Sequence, residues 1–222
     1  MSRLARQFVT VLLLGSLVGS TGCSSIRSFI SPRRLAQDVA ALEDPIFPDE
    51  RRSGIAGLQR RPEGRQSAYV QRFRQIAQTD PHPAVRAQAI RALNQARDEQ
   101  SRPIFVSALS DPAPRVQLEG AKALRNLPED AAVIRLTQLV TDEAQDRDVR
   151  IWATHAISKQ PRIDVARTLV SVLEGRDFAV AYEARAGLRR MTGGKDFHYD
   201  PALWLAYITS NSAPFPATRP SK

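Results

Sequence analysis

Residues 80–93 read DPHPAVRAQAIRAL, and residues 111–124 read DPAPRVQLEGAKAL. Val85, Ala89, Ala92 and Leu93 stand at i, i+4, i+7 and i+8, which is one face of a helix. Val116, Gly120, Ala123 and Leu124 repeat the spacing. So do Val149, Ala153, Ala156 and Ile157, and then Val180, Ala184, Gly187 and Leu188. The four valines lie 31, 33 and 31 residues apart. Self-similarity at such a period marks an array of stacked units. A fainter copy lies upstream at Glu50, Gly54, Gly57 and Leu58, with Glu50 in the valine's place. It is expected to be a frayed end cap.

Alanine or glycine inside each set lets a partner helix approach closely, and the valine and leucine fill the space on either side. Second helical patterns lie between the sets. They run through Tyr69, Val70, Phe73 and Ile76; Ile104, Phe105, Ala108 and Leu109; Val133, Ile134, Leu136, Leu139 and Val140; and Val165, Leu169, Val170 and Leu173. Each unit is therefore two helices, expected at roughly 12–15 residues each, the usual length of globular helices. Asp80-Pro81 and Asp111-Pro112 precede two first helices, with Asp146 and Asp177 in similar places later. Aspartate at a helix start accepts from free backbone N–H groups. One such pair cannot bury its apolar face alone, so the pairs must stack. The Tyr69, Ile104, Val133 and Val165 helices are expected to line the concave face.

The stretches DP with AVRAQAIRAL, DP with RVQLEGAKAL, DVRIWATHAI and AVAYEARAGL resemble the HEAT-repeat family, especially the short bacterial repeats akin to those of phycobilisome lyases. The resemblance covers residues 49–192. It implies an all-α, right-handed α-solenoid of about four to five helix pairs closed by a C-terminal helix, a fold that hosts many functions. The family's arginine after the valine is present as Arg86 and Arg150. Gln117 and Ala181 replace it elsewhere, which puts a continuous Asp–Arg ladder in doubt.

The N-terminus is an address. Arg3 and Arg6 precede the apolar run FVTVLLLGSLV, and small residues follow. A basic start, a short apolar stretch and a small-residue cleavage point make a secretory signal over residues 1–22. Its apolar run is shorter than the roughly 18 residues that span a bilayer. Thr21-Gly22-Cys23 resembles a bacterial lipoprotein signal, in which the cysteine becomes lipid-modified. Ser20 departs from it, since that position is usually apolar. Ordinary cleavage leaving a free thiol is the alternative. By the same resemblance, Ser24 after the cysteine favours the outer over the inner membrane. Residues 23–48 are expected to be a lipid-anchored linker carrying a short helix over 32–42, with Leu35, Val39 and Leu42 on one face. Cys23 is the only cysteine, which excludes an internal disulfide and any multi-cysteine zinc site.

Residues 193–209 differ from the repeats. Gly193-Gly194 ends a helix, and Asp200-Pro201 starts another. Phe197, Tyr199, Trp204 and Tyr207 are expected to cover the exposed end of the array. Residues 210–222 hold three prolines among polar residues and are expected to be disordered. Asp196, His198 and Asp200 lie close in sequence, but their spacing matches no cation loop. His155 is expected at a packed position or a groove edge, and His82 in solvent. No GxGxxG, phosphate loop or HExxH occurs. No catalytic set, metal or cofactor is expected.

The net charge is +9, and it is uneven. Residues 51–102 hold 11 arginines and four acids, whereas residues 103–222 hold 16 bases and 14 acids. Arg60, Arg61, Arg65, Arg72, Arg74 and Arg102 are therefore the candidate partner-binding residues. A solvated arginine-rich face is the competing reading. Export argues against nucleic acid. The expected role is a non-enzymatic scaffold for a cell-envelope protein, tethered through a lipid. A lyase-like use of the groove and the binding of an anionic envelope lipid or polymer are the alternatives.

Overall fold

A computed structural model describes residues 32–211. The signal segment, Cys23 and residues 212–222 lie outside the described residues. Eleven α-helices and no strand occur among the described residues: α1 Pro32–Leu42, α2 Pro48–Gln59, α3 Ser67–Thr79, α4 Pro83–Ala96, α5 Arg102–Ala108, α6 Pro114–Asn126, α7 Val133–Thr141, α8 Arg147–Ile157, α9 Ile163–Ser171, α10 Phe178–Met191 and α11 Pro201–Ser210. They form five antiparallel pairs, α1/α2 to α9/α10, and α11 packs on α9. The fold is an α-solenoid. Val85, Val116, Val149 and Val180 are all buried, as are the small residues that follow them.

The helix starts follow the local chemistry. Proline stands in the first turn of α2, α4, α5, α6 and α11, where its missing N–H has no helical partner to lose. Asp146, Asp177 and Asp200 cap α8, α10 and α11 by accepting backbone N–H groups. Asp80 and Asp111 act differently. Their carboxylates accept from the N–H groups of His82 and Ala113, each at 2.9 Å, and so turn the chain before the helix begins. At the far end, Gly193 and Gly194 take positive φ, and the Gly194 N–H closes α10 onto the Arg189 carbonyl.

Three expectations are corrected. The solenoid begins at residue 32, not 49. The segment assigned to the linker supplies α1, which docks on α2 through buried Leu42 and half-buried Leu35 and Val39. Gly54 makes this possible, because a Cβ there would meet backbone atoms of Asp38 and Leu42. The upstream copy is thus a complete pair whose outward Glu50 needs no core partner. Second, α5, α7 and α9 are only seven to nine residues long. Single 3₁₀ turns at Glu99–Ser101 and Asp130–Ala132 replace the first turns of α5 and α7. Third, the inner layer is the other one. The even-numbered helices lie against each other in succession, while the odd-numbered ones are spaced more widely. A stack built this way bends towards its closer-packed layer, so α2, α4, α6, α8 and α10 line the concave side.

The ladder has rungs and a gap. Arg51 Nε and Nη2 donate to Asp80 at 2.7 and 3.0 Å, joining α2 to the turn after α3. Arg86 repeats the contact with Asp111 at 2.9 Å through two nitrogens. Gln117 breaks the series, since its amide turns back to the Asp111 carbonyl. Arg150 points into the core and donates to the Val140 carbonyl, and Arg147 takes over the rung by pairing with Asp177. Arg51 follows Glu50 just as Arg86 follows Val85, so the first rung is visible in the sequence once the upstream copy is aligned.

Candidate functional site on the even-numbered helices

The six candidate arginines do not form an open basic surface. Arg61 donates to Asp38 at 2.8 Å, Arg72 binds Glu43 through two nitrogens, and Arg74 binds Asp98 at 2.6 Å through two. Arg102 lies 3.6 Å from Glu99. Of the six, Arg60 and Arg65 alone are exposed and have no ion pair to any described residue. Counting charge from residue 51 omitted Asp38 and Glu43, which fold back onto these arginines. They are largely mortar between helices on the odd-numbered side and in the turns.

The even face is different. The buried valines fix its register, so residues at equal offsets form rows across the helices. Two residues after each valine stand Ala87, Leu118, Ile151 and Tyr182, small on α4 and large from α6 onward. Leu118 and Ile151 are half-buried, and Tyr182 is 54% exposed. Six residues after come Arg91, Lys122, His155 and Ala186; ten after come Gln95, Asn126, Lys159 and Arg190.

Contacts run from helix to helix along this face. Arg91 of α4 and Lys122 of α6 both bind the Glu119 carboxylate, at 2.7 and 3.0 Å. Burial raises the pKa of Glu119, but the two cations outweigh it and hold the group below the usual carboxylate range. Asn126 donates to Asn94 at 2.9 Å. Lys122 Nζ and Arg125 Cζ lie 5.4 and 5.8 Å from the Trp152 ring centroid, within cation–π range. Trp152 meets His155 edge to face at 5.5 Å. His155 Nε2 lies 2.7 Å from Glu183 of α10.

His155 is neutral near pH 7. Burial lowers its pKa most; Glu183 opposes this, and Arg125, Arg190 and Lys159 reinforce it. The ring Nε2 faces the Glu183 carboxylate at 2.7 Å. Its buried Nδ1 has no partner among the described residues, and protonating it would strand a buried donor. His155 is half-buried between Trp152 of its own helix and Glu183 of α10. Trp152 carried a weaker sequence signal: it stands where Gln88 and Glu119 stand in the preceding copies.

The other candidates take structural places. Asp196 binds Arg185 at 2.9 and 2.6 Å, which holds its pKa far below the usual carboxylate range. Asp200 caps α11, and no group of three metal-ligating side chains occurs among the described residues. The aromatic cluster splits in two. Phe197 packs on Trp204 and Tyr207, while Tyr199 packs on Phe178 and under Arg185. His82 is exposed at the start of α4. A hollow of about 480 Å³ on the turn side is lined by Asp80, Arg86 and Asp111, which are already engaged in the ladder.

An α-solenoid with one layer of side chains open along its inner face defines a class, the helical-repeat proteins. Residues 70–158 match the family model described as HEAT repeats. The chain's structure is similar to that of YibA from Escherichia coli, with a TM-score of 0.59 and 21% identity over 72% of this chain and 61% of that one. It is also similar to a designed armadillo repeat protein, with a TM-score of 0.59 and 16% identity over 85% and 94% of the two chains. An engineered protein gives a TM-score of 0.58 at 17% identity over 83% and 90%. The chain thus spans under two thirds of YibA, and likenesses at these identities show the fold alone. No curated protein matches the sequence. Folds of this kind typically serve as protein-interaction scaffolds and are typically non-enzymatic.

Proposed function

We propose that the chain is a non-enzymatic scaffold that holds a protein partner at a cell-envelope membrane, anchored through a lipid on Cys23. The observation that carries the scaffold reading is the even face, where half-buried Leu118 and Ile151 and exposed Tyr182 run beside exposed Lys159 and Arg190. The anchor rests on the signal pattern ending at Thr21-Gly22-Cys23. Several acyl chains at about 0.8 kcal/mol per buried CH₂ would hold the chain firmly. Ser24 favours the outer membrane.

The anchor is tested by the mass of the mature N-terminus from a bacterial host. An acylated Cys23 is expected, and Cys23→Ser should move the chain from the membrane to the soluble fraction. An intact Met1, or an unmodified start near Cys23, would overturn the tether.

A further inference from the structure

We infer that the even face of α6, α8 and α10 binds an extended, acidic segment of a partner protein, with apolar side chains interspersed among its carboxylates. This rests on the scaffold reading and gives the partner a chemistry. Arg125 on α6, Lys159 in the turn just after α8 and Arg190 on α10 stand in succession, and none pairs with a carboxylate among the described residues. Arg190 donates only to the Ser158 hydroxyl at 2.8 Å. Arg125 stacks on Trp152 and keeps a buried Nε without a hydrogen-bond partner. Buried donors are rarely left so, and a ligand acceptor is a ready partner. Arg51, Arg86 and Arg91 on α2 and α4, by contrast, each hold a carboxylate.

Beside these cations run Leu118, Ile151 and Tyr182. An apolar row favours a peptide, which can lay apolar side chains along it, over a lipid headgroup or the charged backbone of a nucleic acid. The spacing favours an extended chain. Packed helices stand about 8–10 Å apart, and an extended chain in the polyproline II form rises about 3.1 Å per residue with three residues per turn. Every third residue of an extended segment therefore meets the next helix. Acidic residues at that period meet the three cations, and the residues between them reach the apolar row.

The test uses the full chain and a fluorescein-labelled peptide of repeated Glu-Ser-Leu triplets, followed by anisotropy at low salt. The peptide should bind, and its Lys-Ser-Leu counterpart should not. Lys159→Glu with Arg190→Glu should weaken binding by about tenfold or more. Arg60→Glu with Arg65→Glu removes the same charge from exposed positions outside this face and should leave binding nearly unchanged. Both sites are exposed, and circular dichroism checks that each variant folds. Three results would overturn the inference: no binding of the Glu peptide, equal loss in both variants, or preferential capture of phosphatidylglycerol vesicles or oligothymidylate. If a protein partner still cross-links to the even face while the Glu peptide fails, the acidic chemistry falls and the scaffold stands.

Discussion

Gly54→Ala should detach α1 from the solenoid. In an exposed helix this exchange stabilises by about 1 kcal/mol, because glycine is the poorer helix former. Here the new Cβ would lie 2.6 Å from the Asp38 carbonyl oxygen and closer still to the Leu42 backbone nitrogen. Both are backbone atoms, so no rotamer change relieves the clash and the helix itself must move. Overpacking costs about 1–3 kcal/mol when side chains can adjust, and an obstruction by backbone belongs at or above the top of that range. Moving α1 also uncovers Leu42 and breaks the Arg61–Asp38 contact. In a repeat array each unit depends on its neighbours, so the loss should be local to the N-terminal end. Hydrogen exchange should show protection lost over residues 32–42 and kept in α6 to α10. Unchanged protection in α1 would refute the close approach.

Trp204→Ala should produce the largest loss at the other end. Trp204 is fully buried, its ring meets Phe197 edge to face at 5.0 Å, and its Nε1–H donates to the His198 carbonyl at 2.9 Å. Truncating a buried tryptophan costs about 3–5 kcal/mol. It also leaves the His198 carbonyl without this donor and removes what holds α11 against α9. For a chain of this size the thermal midpoint should fall by roughly 10 °C. Trp204→Phe keeps much of the apolar volume and should fall markedly less. A midpoint unmoved by the alanine variant would mean that α11 does not close the array.

The periodic valines made the even-numbered helices legible, because a buried residue at fixed spacing is a strong signal. The small residues beside them were legible for the same reason. The two helices of the first pair showed separately, but Glu50, at a position that faces solvent, breaks the apolar pattern and so their pairing did not. The inner layer was misassigned because periodicity shows that two helices pair, not which layer packs more closely. The arginines were misjudged through distance. Arg72 and Glu43 lie 29 residues apart in sequence, and Arg74 and Asp98 lie 24 apart, yet each pair is in contact. A charge count along the chain cannot see such pairing. The even-face site emerges only when Arg125, Trp152, Lys159 and Arg190 are set side by side by the stack.

The central claim is that the even face is the working surface. Site-specific photo-crosslinking in the bacterial envelope tests it most directly. A photoreactive residue replaces Lys159 on the even face in one chain, and exposed Ile134 on α7 in another. The account predicts a discrete adduct with the same protein from the Lys159 position and none from the Ile134 position. An adduct from Ile134 alone, or none from Lys159, would contradict it.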